Sequence, residues 1–260
     1  MKILFLKDAH RAHRFIFAAA PPIIFAVIAA LQSMPVTAAK NSDTTVLSLA
    51  LGDVQKRSKA GGNFNKAATG TIFYEGDRLR TGLASRAELK LADGSVLRLF
   101  EKSEVVVRTA RFKNSQRQRF SAKLTLGRLW AAVIGAVGNK KGTGAFEIST
   151  PNAVCGVRGT RFNTEIDNNG TTTVKVYNGR VLISNRPIYA RSGATKNNRV
   201  QVPGPQEVSR KQWEEMVADA MQQVTIAANG KMSAPQAFTA SGDDWESWNE
   251  ARDRDSGFKE

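Results

Sequence analysis

Few side chains of this 260-residue chain could carry out covalent or acid–base chemistry together. It has one cysteine, Cys155, and two histidines, His10 and His13, which lie near the amino terminus. A Ser-His-Asp triad and a Cys-His pair both need an imidazole beside the nucleophile, and many zinc hydrolase sites use histidine ligands. Residues 40–260 contain no histidine, so none of these sites can form there.

Enzymes without histidine need other groups, and the sequence offers no clear set. A glycosidase uses a pair of carboxylates, but the Asp and Glu residues are scattered through predicted strands and turns without a convergent pair. Apolar Val154 and Val157 flank Cys155, which predicts a buried thiol, whereas a reactive thiol needs an accessible, electropositive site. We therefore expect no enzyme, no cofactor and no metal, with a carboxylate-dependent glycan hydrolase as the least favoured alternative.

The charge of the chain favours binding to anions. It has 38 Lys and Arg against 23 Asp and Glu, a formal net charge of +15, and such an excess attracts polyanions. Arginine guanidinium groups match phosphate and carboxylate geometry, so one basic stretch is a candidate anionic-ligand face, although a solvated strand face explains it equally well. Its members are Arg108, Arg111, Lys113, Arg117, Arg119, Lys123 and Arg128.

Short alternating strands dominate the stretch from Thr44 to Asn185. Apolar and polar residues alternate in Ala87–Leu91 and Val96–Leu99, and Asp93-Gly94 between them predicts a tight hairpin. Turn residues recur every 8–12 residues or so, which is typical of an all-β sandwich, barrel or solenoid. We expect one all-β domain over residues 40–190.

The sequence of the carboxyl-terminal region indicates a linker, a helix and a tail rather than further alternating strands. Residues 191–207 are rich in Pro, Gly and Asn, as in a linker or edge strand. Ser209 and Gln212 form a capping box, and apolar residues at helical spacing from Trp213 to Val224 predict an amphipathic helix over 208–225 that packs on the sheet. We expect residues 226–260 to be a loosely ordered polar tail, whose Trp245-x-x-Trp248 pair docks on the domain or binds a partner.

The amino terminus is typical of an export signal. Four basic residues precede an uncharged run from Phe15 to Leu31, and small residues follow at Ala38-Ala39. These three features describe a Sec-type signal peptide over residues 1–39, cut after Ala39. An uncleaved membrane anchor is the alternative, although Pro21-Pro22 interrupts the run. We expect a periplasmic or secreted protein.

Several ordered motifs between residues 45 and 185 resemble the FecR domain, an exported module of bacterial iron-uptake regulators. The resemblance rests on stretches that begin at Gly76, at Leu91 and at Phe146, and on Gly170–Val181. Independently of the family, Gly76, Gly82 and Gly94 suit positive φ, Asp77 and Asp93 can hold turns through backbone amides, and Leu79 should point inward. The motif residues with an expected structural role are Gly76, Asp77, Gly82, Asp93, Gly94, Thr150, Pro151, Gly156, Arg158, Gly159 and Thr160.

The resemblance implies a noncatalytic recognition or scaffold protein that binds a protein partner in the periplasm or outer membrane, with a role in signalling. Strand addition at a sheet edge is the expected mode of binding. Only fourteen residues precede the apolar run, too few for the cytoplasmic sigma-binding segment of iron-sensing members. Binding of an envelope polyanion, lipopolysaccharide or peptidoglycan, is the alternative; export argues against nucleic acid.

Overall fold

A computed structural model of the protein describes residues 43–135, 144–185 and 220–258. The predicted signal peptide, the linker over 191–207 and most of the helix predicted over 208–225 lie outside these ranges. The chain divides into two units, Met1–Lys40 and Asn41–Glu260, and the strands and the helix of the described ranges all belong to the second unit. Within the described ranges, no helix is long and apolar enough to cross a membrane.

Sixteen strands and a helix make up the described part of the chain. They are β1 (Thr45–Leu51), β2 (Val54–Arg57), β3 (Asn65–Lys66), β4 (Ile72–Phe73), β5 (Arg78–Thr81), β6 (Arg86–Lys90), β7 (Val96–Leu99), β8 (Glu104–Lys113), β9 (Gln116–Ala132), β10 (Ala145–Ser149), β11 (Val154–Val157), β12 (Arg161–Ile166), β13 (Thr172–Asn178), β14 (Val181–Ser184), β15 (Gln222–Ile226), β16 (Gln236–Ala237) and α1 (Asp244–Asp255).

The strands form two sheets that share β9. Sheet 1 has the order β16-β15-β13-β12-β9-β7-β6-β1-β4, and sheet 2 has the order β14-β11-β10-β9-β8-β5-β2-β3. The pairings are antiparallel, apart from the parallel pair of β9 with β10. The predicted all-β fold is confirmed, and its two sheets enclose a common apolar core in the manner of a sandwich.

Strand β9 passes from one sheet to the other at Gly127. Up to Leu126 it pairs with β8 in sheet 2, and from Gly127 it pairs with β12 in sheet 1. Gly127 has a φ of +83°, and a Cβ there would lie 2.7 Å from the Cα of Ser103. The bend therefore needs glycine for two reasons, the left-handed backbone and the close approach of the Ser103 main chain.

Alternating residues of both sheets fill the core. In β9 the inward positions are Phe120, Ala122 and Leu124 before the bend, and Leu129 and Ala131 after it, all fully buried. The inward positions thus change from even to odd numbers across the bend, where a bulge shifts the register with β8. Burial of each large apolar side chain contributes on the order of 2 kcal/mol.

The turn motifs hold most of their predicted conformations. Gly76 and Gly94 have φ values of +93° and +87°, and the Asp93 carboxylate accepts the amide of Ser95 at 3.0 Å. Asp77 is buried and accepts the Tyr74 amide at 3.0 Å. The expectation for Gly82 is wrong, since its φ is not in the left-handed region. A Cβ on Gly82 would instead lie 2.8 Å from the Asp53 carboxylate, so close approach explains this glycine.

The predicted helix over 208–225 is wrong at its carboxyl end, since Gln222–Ile226 is strand β15. Val224 and Ile226 are buried and point to the core, and Val224 pairs with Val174 of β13. The same apolar residues also fit a strand, because residues two positions apart, such as Val224 and Ile226, lie on one side of a strand. Backbone pairing with β13 makes residues 222–226 a strand rather than a helix.

The predicted loose order of residues 226–260 is also wrong, because helix α1 lies within them. Asp243 caps the helix by accepting the Glu246 amide at 2.7 Å. Acidic residues in its first turn and basic residues in its last turn agree with the helix dipole. Trp245 is 1% exposed, so the tail docks on the domain, which was one of the two outcomes expected for the tryptophan pair.

Replacement of Gly127 by Ala tests the bend of β9, with Gly230→Ala as the matched control. Both glycines have a φ near +84°, but a Cβ on Gly230 meets nothing within 4 Å. We expect Gly230→Ala to lower the free energy of unfolding by about 1 kcal/mol and Gly127→Ala by about 3 kcal/mol or more. Equal losses in urea denaturation would show that the close approach to Ser103 does not constrain the fold.

Candidate functional site

The seven basic residues predicted as an anionic-ligand face do not form one surface. Arg111 and Arg119 are partners across the β8–β9 ladder. Lys123 lies on the same outward side of sheet 2, since its neighbours Ala122 and Leu124 face the core. Arg108 is exposed at a bulge of β8, and Lys113 is exposed where β8 ends.

The prediction that Arg117 belongs to an anionic-ligand face is wrong, because Arg117 is buried inside the fold. It is 1% exposed, forms an ion pair with Asp93 and donates to the carbonyls of Gly144 and Ile134 at 3.1 and 3.2 Å. The register shift between Arg111 and Phe112 places Arg117 opposite Phe112, on the inward side. Burial lowers the pKa of this guanidinium group, while Asp93 raises it. Arg117 is therefore a structural link to the Asp93-Gly94 hairpin.

Arg128 is also separate from the others, because it lies after the bend, in sheet 1. Its guanidinium group contacts Glu165 at 3.0 Å and Asp243 at 3.3 Å. These two carboxylates belong to β12 and to the cap of α1. Arg128 is thus compensated by neighbouring carboxylates and joins the helix to the sheet.

Three further arginines that were not among the candidates lie on the outward side of sheet 2. Arg57 pairs with Arg78 across the β2–β5 ladder, and Arg80 follows two residues later on the same side. The outward direction of Arg78 and Arg80 follows from their alternation with buried Leu79. Their alignment with Arg57 depends on the register of β2, which the sequence does not reveal. We define the cationic face as Arg57, Arg78, Arg80, Arg111, Arg119 and Lys123.

Part of this cationic face is held in place by one carboxylate and one ring. Glu104 contacts Arg78 and Arg80, both at 2.7 Å. Burial raises the pKa of Glu104, but the hydrogen bonds from both arginines prevail and lower it. The Phe64 ring lies 3.9 Å from the Arg80 guanidinium carbon and 4.8 Å from that of Arg57. The arginine side chains are therefore positioned before any ligand binds.

A second candidate surface lies where β1, β5 and β7 end and β9 bends. Three leucines are exposed there: Leu51 by 45%, Leu83 by 68% and Leu126 by 51%. This group, called the leucine end, consists of side chains from three separate segments of the chain. Large exposed apolar side chains on neighbouring loops are a candidate place for another molecule to bind.

Hydrogen bonds between the loops fix the leucine end. The Gly82 amide donates to the Asp53 carbonyl at 2.8 Å, and the Lys102 amide donates to the Gly82 carbonyl at 3.0 Å. Ala84 and Lys102 have φ values of 49° and 51°, a conformation that costs non-glycine residues about 1 kcal/mol or more. Strained residues held by their surroundings are frequent at binding sites, which supports a function for these loops.

Helix α1 covers much of the outward side of sheet 1. Arg98 is 0% exposed and contacts Asp253 of the helix at 2.5 Å and Glu88 of β6 at 2.7 Å. The indole of Trp130 donates to Asp253 at 3.0 Å, and that of Trp245 donates to Asn163 at 3.0 Å. Burial raises the pKa of Asp253 and Arg98 opposes this rise. This polar network belongs to the fold rather than to a binding site.

A cleft of about 600 Å³ opens beside the end of α1. Lys90, Thr160, Arg161 and Asn178 line it, and Glu88 is its one carboxylic acid among the described residues. Glu88 is already bonded to Arg98, Ser48 and Arg252, and these contacts lower its pKa against the opposing effect of burial. A glycosidase needs two carboxylates across the bond that it cleaves, so the cleft offers no support for that alternative.

Cys155 is buried, as predicted, and is placed in the core between the two sheets. Burial, together with nearby Glu147, raises the pKa of the thiol to about 12. A thiol with that pKa is protonated at neutral pH and is a poor nucleophile. In the described part of the chain, no group of three or more His, Cys, Asp or Glu residues could hold a metal ion.

Comparisons with known proteins find that part of the chain is similar to one family. The model of the family described as FecR protein matches residues 77–182, from the turn before β5 into β14. No curated protein matches the chain. Two solved structures of a candidate anti-sigma factor from Parabacteroides distasonis ATCC 8503 are 16% identical to it, each with a TM-score of 0.45. These matches cover 66% of this chain and 64% and 63% of the other chains, less than two thirds of their length.

The raised pKa of Cys155 predicts that the native thiol does not react at pH 8. We expect a maleimide to leave Cys155 unmodified in the folded protein and to modify it rapidly in concentrated urea, because unfolding restores an ordinary thiol pKa of about 8.5. A Ser58→Cys variant, exposed between β2 and β3, serves as the control and should gain one reactive thiol. Rapid modification of native Cys155 in mass spectra would contradict its assignment as structural.

Proposed function

We propose that this protein is a noncatalytic recognition module that binds a protein partner in the cell envelope and acts in signalling, because residues 77–182 match the model of the FecR family. Export by the predicted signal peptide would deliver it to the periplasm. The family match supports a role in regulation, and the arrangement of the leucine end supports a protein as the ligand. The leucine end is the observation on which the proposal depends.

The leucine end suits a protein ligand because it exposes three leucine side chains and its loops are already ordered. Association costs free energy when loops and side chains become ordered in the complex, so fixed loops lower this cost. The Ala84 amide is bonded to Glu101 at 2.6 Å and the Asp53 amide to Ser85 at 2.8 Å. Leu51, Leu83 and Leu126 can therefore enter pockets of a partner with little rearrangement of the surface that carries them.

Side-chain contacts at the leucine end explain partner binding better than the expected strand addition does. Three of the four strands that end the sheets, β3, β4 and β16, are only two residues long, and the fourth, β14, has four residues. A strand of two residues offers few backbone groups to an added strand, and short edge strands are one way in which proteins prevent edge pairing. We therefore assign the recognition to loops and side chains rather than to a sheet edge.

Three carboxylates of the described ranges support the noncatalytic part of the proposal. Asp77, Glu88 and Glu104 each have a pKa below the ordinary value, because hydrogen bonds from basic or backbone groups outweigh burial. Such carboxylates are poor general acids at neutral pH, since the proton that an acid must donate is absent. Their contacts stabilise turns and the position of arginine side chains, which is a structural task.

Site-specific photo-crosslinking in intact cells tests the proposal. A benzophenone amino acid at Leu83 is expected to form one discrete adduct with an envelope protein. The same amino acid at Lys231, which is exposed between β15 and β16, is the control and should form none. Leu51→Ser together with Leu126→Ser should reduce the Leu83 adduct at least fivefold, because removal of two exposed apolar contacts weakens binding by about 1–3 kcal/mol.

Two results would refute this assignment. One is an adduct pattern that is the same from Leu83 and from Lys231, which would indicate random collisions. The other is an adduct from Leu83 that persists undiminished in the Leu51→Ser, Leu126→Ser protein, provided that urea denaturation shows both variants to be folded. Since both leucines are about half exposed, we expect their replacement to change stability by less than 1 kcal/mol.

A further inference from the structure

The cationic face carries an excess of positive charge that the fold does not neutralise. Glu104 serves two of its arginines, and Glu75 lies 3.8 Å from Arg111. In the described part of the chain, no carboxylate lies within ion-pair distance of Arg57, Arg119 or Lys123. Glu147 is on the same side of sheet 2 beside Arg119, and burial raises its pKa, which Arg119 opposes. Among the described residues, six cations thus face three carboxylates, an excess of +3.

These cations are spread over a plane instead of converging on a point. Neighbouring strands lie roughly 4.8 Å apart, and the face extends from β2 through β5 and β8 to β9. Arg57 and Arg78 are adjacent, whereas Lys123 lies two strands beyond Arg78, with Val106 between them. A small anion could touch only one or two of these groups. An extended array of separate anionic groups could touch all of them.

The chemistry of the face favours phosphates over sugars or bases. Proteins that hold sugars or nucleic acid bases usually offer an exposed aromatic ring for stacking. The paired outward positions of sheet 2 carry no aromatic residue in the described part, and the half-buried Phe64 ring contacts the guanidinium groups of Arg57 and Arg80. The exposed ring of Tyr74 lies before β5, outside these paired positions. Guanidinium groups in fixed orientation are well suited to phosphate oxygens.

We propose that the cationic face of sheet 2 lies against a lipid surface whose headgroups carry phosphate. Such a surface provides many phosphates in one plane, and each headgroup can move laterally to meet a fixed arginine. The attraction is worth about a fivefold gain in affinity for each Lys or Arg near an anionic membrane. None of its six residues belongs to the leucine end, although Leu126 is paired with Glu104, which contacts Arg78 and Arg80. The inference therefore goes beyond the proposed protein partner.

Vesicle binding of the chain from residue 40 onward tests the inference. This form omits the apolar run that would itself insert into a bilayer, and it retains the unit Asn41–Glu260. We expect binding to vesicles of phosphatidylglycerol and phosphatidylcholine and little binding to phosphatidylcholine alone. Raising salt from about 50 to about 300 mM should weaken binding at least tenfold, because screening reduces the attraction between exposed charges.

The decisive variant is Arg111→Gln, Arg119→Gln, Lys123→Gln, which removes three charges from the cationic face. Its affinity for the anionic vesicles should fall on the order of 100-fold. The matched control is Lys90→Gln, Lys231→Gln, Arg254→Gln, which removes three exposed charges from other places in the chain and should lose less than fivefold. Circular dichroism would confirm that both variants are folded.

Three outcomes would overturn the lipid assignment: equal losses in the two triple variants, equal binding to neutral and anionic vesicles, or complete loss of vesicle binding in the presence of soluble polyphosphate at equal phosphate concentration. The last would indicate a soluble polymer as the ligand. The two proposals fail separately. The Leu51→Ser, Leu126→Ser protein should keep its vesicle binding. The cationic-face variant should still form the Leu83 adduct with the same envelope protein, at a lower yield because it is no longer concentrated at the membrane.

Discussion

The passage of one strand through both sheets is the constraint on which the structure depends. Strand β9 carries Arg119 and Lys123 to the outward side of sheet 2 and, after Gly127, carries Trp130 to the outward side of sheet 1. Its bend also places Leu126 at the leucine end. Because one backbone positions all three surfaces, the distances between them are set by the fold and not by flexible linkers.

The buried ion pairs of Arg98 determine which outward side of the sandwich is covered by helix α1 and which is left for binding. Arg98 has no access to solvent, and its contacts with Glu88 and Asp253 join sheet 1 to α1. A buried ion pair adds little net stability, but the loss of one partner leaves a buried charge that costs about 3–5 kcal/mol. Helix α1 is therefore held to sheet 1 as part of the fold. In the described part of the chain, this leaves the outward side of sheet 2 and the leucine end for recognition.

Features that depend on residues close together in the chain can be predicted from the sequence. Features that depend on the pairing of distant strands cannot. The Asp93-Gly94 hairpin, buried Leu79 and buried Cys155 follow from local patterns, since side-chain alternation and turn chemistry act within a few residues. Arg117 resembles its basic neighbours in sequence, and only the register shift opposite Phe112 turns it inward. Likewise Arg57 joins the cationic face through a pairing with Arg78, and β15 forms because β13 provides its partner. Neither pairing has a signal in the local sequence.

The two proposed surfaces differ in the physical basis of their binding, and this difference gives them separate tasks. Charge attraction at the cationic face acts over about a Debye length and needs no fixed register with its ligand. Apolar contact at the leucine end acts only when surfaces fit. A protein held at a membrane by the first surface meets membrane partners at a raised effective concentration, so a modest affinity at the leucine end would suffice for occupancy. Leu51, Leu83 and Leu126 would then determine which partner is bound, while the arginines of the cationic face keep the protein at the membrane.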